Sequence, residues 1–382
     1  MFVDWYLPGY RAGGPIRSVA NMVRELGEEF DFRIVTSDTD FGASAPYQDI
    51  QPNTWTTGPN GEQVWYFSGD QLNRAAINQL IDATPHQLVY LNSFFSLPFS
   101  LWPLWHLRKQ QHKVLLAPRG MLGAGALQLK ATKKKLFLLA SKATGLHSNI
   151  GWHASTEQEG AEIKAVFGNK ARVFTALNIA ARNNYDNLPP RTKQPGTLRL
   201  FFLSRISPKK NLLEAIQMLG TVEIQQGQRI VYDVYGPVDD AAYWEQCQQA
   251  IAQLPQGVEV KHHGAIANDD LAEHLAEAHC LLLPTRHENY GHAILEAFAL
   301  GCPVIVSDQT PWRDLQAKGI GWDLPLSSEA TFAATVRLCL EMPQQEFDRM
   351  SGKARTFARE FTSNQDVLEQ NRSMFRSLIQ ST

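Results

Sequence analysis

The sequence predicts an α/β protein built from two doubly wound, Rossmann-like domains. Three observations carry this. The chain has 382 residues, more than the roughly 250–300 at which a single core stops growing. Short β-rich apolar runs alternate with longer helical patterns from end to end, as parallel sheets with crossover helices require. The alternation breaks once, at a polar, Pro-rich stretch from Asn187 to Gly196, and then restarts.

In the first half, Phe2–Trp5 reads as a strand, a glycine loop follows, and a helix runs from about Ile16 to Leu26. Phe32–Thr36, Leu88–Leu91, Val114–Ala117 and Gly151–Ala154 read as further strands. In the second half the strands are Leu198–Leu203, Ile230–Tyr235, Val258–His262, Cys280–Leu283 and Pro303–Val306. Each is followed by a loop and a helical pattern. The expected domains are 1–186, a linker at 187–196, 197–360, and a C-terminal helix over 361–382 that packs back toward the first domain. Ligands of such sheets bind outside the carboxyl ends of the strands, so two such domains, facing each other, place the expected site in the cleft between them.

Composition excludes several classes. A net charge of −2 gives no bulk attraction to nucleic acid. Cys247, Cys280, Cys302 and Cys339 show no metal-ligand spacing, so buried free thiols of a reducing compartment are expected. No signal peptide and no run near the ~20 apolar residues of a membrane span is present. The expected location is cytoplasmic. The abrupt entry into the first strand at Phe2 is compatible with a natural start further upstream. Residues 101–150 carry nine Lys or Arg and no acid. Within them, Lys130, Lys133, Lys134 and Lys135 interleave with apolar residues at helical spacing, the pattern of a helix lying on an anionic membrane face. A solvated face on a core helix explains the same pattern.

The most informative segment is Arg286-His287-Glu288-Asn289-Tyr290-Gly291-His292, continuing through Glu296 to Gly301-Cys302-Pro303-Val304. Glu288 sits in a loop after a strand. Glu296 lies eight residues later, inside the next helix and among apolar neighbours where a solvated acid is out of place. Gly291 marks the helix entry, where unpaired N–H groups suit an anion and a missing side chain allows close approach.

This segment resembles the E-x7-E signature of glycosyltransferase family 4, whose members have the GT-B fold and assemble, in one subgroup, bacterial surface polysaccharides. The resemblance implies that Glu288 contacts the donor sugar, that Glu296 binds the nucleotide ribose, and that Asn289, Tyr290, Gly291 and His292 complete the donor site. Ser204-Arg205-Ile206-Ser207-Pro208-Lys209-Lys210 resembles the family's R-x4-K element and implies that Arg205 and Lys210 hold the donor diphosphate. Their chemistry fits: Arg makes bidentate phosphate contacts and Lys a point-charge contact. Gly236 and Ile266 fall in loops that neighbour the diphosphate and the base in that family.

Gly13 and Gly14 resemble its N-terminal glycine loop. They are not the dinucleotide fingerprint, so NAD is not implied. Pro118-Arg119-Gly120 resembles the polysaccharide subgroup. Arg119 stands near the point where many members carry a donor-binding histidine, and is expected in the cleft. Asp38-Thr39-Asp40 has the spacing of a metal-dependent transferase but stands in the wrong place, and reads as a polar loop. His147, His153, His262 and His263 read as structural.

The implied activity is a retaining, metal-independent transfer from a UDP- or GDP-sugar to a hydroxyl of a glycan or lipid-linked acceptor, with no cofactor. An epimerase, a sugar phosphorylase, or a non-catalytic nucleotide-sugar binder are the alternatives.

Overall fold

The computed structural model describes residues 1–108, 112–128, 131–181, 185 and 188–380. The chain forms two compact units, Met1–Ala181 with Asn364–Thr382, and Arg182–Ser363.

The first unit holds β1 (Arg33–Ser37), β2 (Trp55–Thr57), β3 (Gln63–Phe67), β4 (Val89–Leu91), β5 (Val114–Leu116), β6 (Gly151–Ala154) and β7 (Arg172–Thr175). They make two ladders, β1-β3-β2 and β4-β5-β6-β7. Only β2 runs antiparallel to its neighbour. The strand expected over Phe2–Trp5 shrinks to a bridge: Phe2 pairs with Val35 on one side and Leu91 on the other. That single residue joins the two ladders. The chain then leaves the sheet, and Asp4 turns its carboxylate to Ser96, whose Oγ donates to Oδ1 at 2.6 Å.

Alternate residues feed the two faces, as the period of a strand requires. Phe2, Leu91, Val114, Leu116 and Trp152 pack on one side. Val3, Tyr90 and Leu115 pack on the other, with the Gly14–Leu26 helix. The Gln365–Gln380 helix belongs to this second face and buries Leu368, Met374, Phe375 and Leu378 there.

The second unit is a six-stranded sheet in the order β10-β9-β8-β11-β12-β13, made of β8 (Thr197–Leu203), β9 (Arg229–Tyr235), β10 (Val258–Gly264), β11 (Cys280–Leu283), β12 (Val304–Ser307) and β13 (Gly321–Leu324). All its pairings are parallel. β11 and β12 are buried throughout, which explains their unbroken apolar runs. The order reverses between β8 and β11, the topological switch point of a doubly wound sheet.

The stretch 187–196, read from sequence as a linker, is fastened to this unit over its described residues. Arg191 donates to the Leu300 carbonyl at 2.6 Å and to that of Leu275 at 3.2 Å. Lys193 is buried and donates to the carbonyls of Leu340 and Met342. Asn187 lies outside the described residues. The four cysteines are free and buried. Among the described residues no helix is long and apolar enough to cross a membrane.

Candidate functional site

Two loops leave the sheet at the switch point of the second unit. Ser204–Asn211 follows β8 and Pro284–Gly291 follows β11. They are stitched together by backbone. Arg286 N donates to the Lys209 carbonyl at 2.9 Å, and Thr285 Oγ1 to the same oxygen at 3.1 Å. Arg286 Nε donates to Asn211 Oδ1 at 2.9 Å and its Nη2 pairs with Glu214. Asn211 itself adopts a left-handed backbone, φ 63°, before the Leu212–Gly220 helix.

These ties bring Lys210 and Glu288 together. Lys210 Nζ donates to Glu288 Oε2 at 2.5 Å, with side-chain exposures of only 14% and 16%. Burial pushes the Glu288 carboxyl up, but the Lys210 ammonium outweighs it, and Lys209 and His292 add to it, so the net shift is downward. Glu288 is therefore ionised at neutral pH.

Gly291 sets the next helix, His292–Ala299, through a left-handed cap at φ 81°. A side chain there would meet Trp312 Nε1 at 2.8 Å, Ile294 Cδ1 at 3.1 Å and Glu288 Cγ at 3.2 Å. Trp312 is locked by its own bond, Nε1 to the Tyr290 carbonyl at 2.7 Å, and Glu288 N is held by the Gln309 carbonyl at 3.0 Å. The first N–H groups of a helix lack partners within the helix and carry partial positive charge. Glu296 is 6% exposed one turn in. Burial and the Glu296 carboxylate together raise the Tyr290 hydroxyl. His292 packs on Tyr290 at 4.6 Å. Asn289 is half-buried in the same loop.

Arg205 lies on the β8 loop, 40% exposed, and Nη1 donates to Asp239 Oδ2 at 3.1 Å. Gly236 follows β9 with φ 149°, and a side chain there would sit 1.8 Å from the Ser204 carbonyl oxygen. Only glycine lets the β8 and β9 loops touch. Ile266 is half-buried after β10. The neighbouring histidines are structural: His262 Nε2 lies 2.9 Å from the Gly236 carbonyl, and His263 Nε2 2.7 Å from Asp233 Oδ1.

The remaining sequence candidates belong to the first unit. Gly13 caps the Gly14–Leu26 helix at φ 69°. Asp40 is no idle loop acid: its Oδ2 accepts from Tyr10 N at 3.0 Å and Arg11 N at 3.2 Å, which fixes the glycine loop. Arg119, at φ 55°, turns its guanidinium into its own unit. Nε donates to Asn92 Oδ1 at 2.7 Å, Nη2 to Tyr90 Oη at 2.8 Å, and Nη1 to Asn178 Oδ1. Beside it Glu159 Oε1 accepts from Gly120 N at 2.5 Å, and Oε2 from Ser155 N at 2.8 Å. Sequence reading missed Asn92, Ser155, Glu159 and Asn178. The available signal is positional: all but Glu159 stand within three residues after β4, β6 or β7. Among the described residues no group of three or more His, Cys, Asp or Glu is arranged to hold a metal ion.

Residues 186–357 match the family model described as glycosyl transferases group 1. Among curated protein sequences none matches. The whole chain resembles solved structures at low identity. Sucrose-phosphate synthase from Thermosynechococcus elongatus is 16% identical, with 97% of this chain and 94% of that chain covered and a TM-score of 0.67. Anabaena HepE in complex with UDP-glucose is 14% identical, with 98% of each covered and a TM-score of 0.69. WaaG, a glycosyltransferase involved in lipopolysaccharide biosynthesis, is 13% identical, with 99% of each covered and a TM-score of 0.64. The fold is GT-B. The family match lies within the second unit, Arg182–Ser363, and the neighbours show the fold.

Proposed function

We propose that this protein transfers a sugar, with retention of anomeric configuration, from a nucleoside-diphosphate sugar to a hydroxyl of a glycan or lipid-linked acceptor. The observation that carries this reading is the half-buried Lys210–Glu288 pair at the switch point, 2.5 Å apart, beside the Gly291 helix start. Departure of the diphosphate is the hard step. Lys210, Arg205 and the helix start supply positive charge where the leaving group develops negative charge. That set does the work without a metal. Glu288 holds the donor sugar, Glu296 the ribose, and Gly236, Ile266, Asn289, Tyr290 and His292 line the nucleotide. The acceptor hydroxyl arrives on the face the leaving group vacates. Gly13, Gly14 and Arg119 stand on the acceptor-side unit, and Arg119 acts there through its framework. The reaction belongs to polysaccharide assembly at the cytoplasmic side of a membrane, with exposed Lys133 and Lys135 toward the lipid. Lys134 is turned inward, donating to the Ala126 carbonyl at 2.6 Å, and Lys130 lies outside the described residues.

The test is thermal stabilisation by UDP, GDP, ADP and dTDP beside Glu296→Ala. A ligand that binds only the native state raises stability by RT ln(1 + [L]/Kd). One nucleotide is expected to stand out and to lose its effect in the variant. A flat response to all four overturns the donor site. Sugar transfer to an added acceptor then separates a transferase from a binder.

A further inference from the structure

The first unit carries a pocket at the end of the sheet opposite Asn92, Ser155 and Asn178. Val114, Gly151 and Arg172, which begin β5, β6 and β7, line it, and its volume is about 540 Å³. Its floor is aromatic: His147 and Trp152, with ring centroids 5.6 Å apart. Its rim is basic: Lys113, Lys142, Lys170 and Arg172. Among the described residues no carboxylate lines it. Lys113 is committed, Nζ donating to the Ile379 carbonyl at 2.7 Å. Lys142, Lys170 and Arg172 are exposed.

Lys142 also stands in the last turn of the Ala131–Ala143 helix. Three residues before it, and three before that, are Leu139 and Leu136, 66% and 69% exposed. They are the two most exposed large apolar side chains among the described residues. Spacing of three places Leu136, Leu139 and Lys142 on one helix face, with Lys135 exposed beside them. The inner face of the same helix is accounted for by Phe137 and Leu138, which pack on the core. The two leucines thus stand outside the core, with exposed Lys135 and Lys142 on the same helix.

We infer that this face docks on an anionic phospholipid bilayer, with Leu136 and Leu139 entering the interface and a lipid phosphate seated among Lys142, Lys170 and Arg172. The inference deepens the membrane contact proposed above and does not need the transferase chemistry. Charge complementarity selects the surface. A cationic rim attracts an anionic leaflet, and apolar side chains flanked by lysine sink to the headgroup boundary. A soluble phosphate would use the rim and leave the leucines unexplained.

The experiment is flotation of the full chain with phosphatidylcholine vesicles, with and without phosphatidylglycerol. Binding is expected to be at least about tenfold stronger with phosphatidylglycerol and to weaken as salt rises. Lys170→Ala with Arg172→Ala is expected to weaken it about 25-fold, at roughly fivefold per cation. Leu136→Ser with Leu139→Ser weakens it several-fold on the same vesicles. Both variants change exposed side chains and keep the parent melting temperature. Equal binding to the two vesicle types overturns the inference, as does unchanged binding in either variant. Stabilisation by glycerol 1-phosphate without vesicle binding overturns it in favour of a soluble anion site. Nucleotide stabilisation, read in parallel, reports on the second unit alone, so failure of the donor site and failure of membrane docking are told apart.

Discussion

Lys210 Nζ and Glu288 Oε2 meet at 2.5 Å, although they stand 78 residues apart and leave two different strands. The pair spans the point where the sheet order reverses, from β8 to β11. A bound diphosphate would compete with Glu288 for the Lys210 ammonium. Glu288→Gln removes the competitor and keeps the shape. Nucleoside diphosphate affinity is therefore expected to hold or rise, while turnover falls by about 10²–10⁴-fold, the range for a group positioned at the reacting centre. Calorimetric titration beside an initial-rate assay checks both. A large loss of nucleotide affinity with near-normal turnover would refute the assignment.

Gly291→Ala is expected to damage the donor site sharply. The added carbon falls 2.8 Å from Trp312 Nε1 and 3.2 Å from Glu288 Cγ, at φ 81°, and Trp312 cannot yield without breaking its bond to Tyr290. Gly13→Ala is the control, with φ 69° and open space around the new carbon. At φ 69° and ψ −120° it meets only backbone strain, about 1–3 kcal/mol. Gly291→Ala should cost more than Gly13→Ala in denaturant stability and abolish nucleotide stabilisation. Equal costs with binding intact would count against the packing argument.

Much of the second unit was legible because its central strands are buried on both faces. Cys280–Leu283 is an unbroken apolar run, and it is a strand with those bounds. Glu296 betrayed itself as an acid among apolar neighbours. β3, Gln63–Phe67, was missed although it buries Val64, Tyr66 and Phe67; the other missed strands lack such signals. β2 and β7 have no fully buried residue, and β13 is four residues with glycine at one end and an acid inside. Phe2–Trp5 looked like a strand, yet only Phe2 pairs. Arg119 could be placed near a strand end, but no local pattern reveals that its partners are Asn92 and Asn178. Such a network forms only when separate strands come together.

Arg119→Ala tests that network. Three nitrogens of the guanidinium serve Asn92, Asn178 and Tyr90. Deleting them leaves buried Asn92 and Asn178 without a donor, at about 1–3 kcal/mol for each stranded group. The first unit should melt several degrees lower. Nucleotide affinity of the second unit should be unchanged within about twofold, because nothing in this network belongs to that unit. A specific loss of nucleotide affinity at full stability would instead make Arg119 a direct donor contact.

The same network predicts acid sensitivity. Ala176 O can only accept, so His153 Nε2, 2.8 Å away, carries the proton. His153 Nδ1 then accepts from Tyr90 Oη at 2.7 Å, and Tyr90 Oη accepts from Arg119 Nη2. A second proton on His153 would face the Tyr90 hydroxyl proton with Arg119 close behind. Burial first, and then the Arg119 charge, lower the His153 pKa to about 3. The unfolded histidine titrates near 6.5 and the folded one far below. The unfolded state thus binds the extra proton throughout that window, and stability is full above pH 6.5 and lost as pH falls toward 3. The slope is about 1.4 kcal/mol per pH unit for each such histidine. His147 adds to it, with burial lowering its pKa to about 4. His153→Gln keeps a donor for Ala176 and cannot take up a proton. Its unfolding free energy should start lower at pH 7 and fall less steeply to pH 5, by about one histidine's slope. Parallel pH dependences in the two proteins would show that His153 is not the group that titrates.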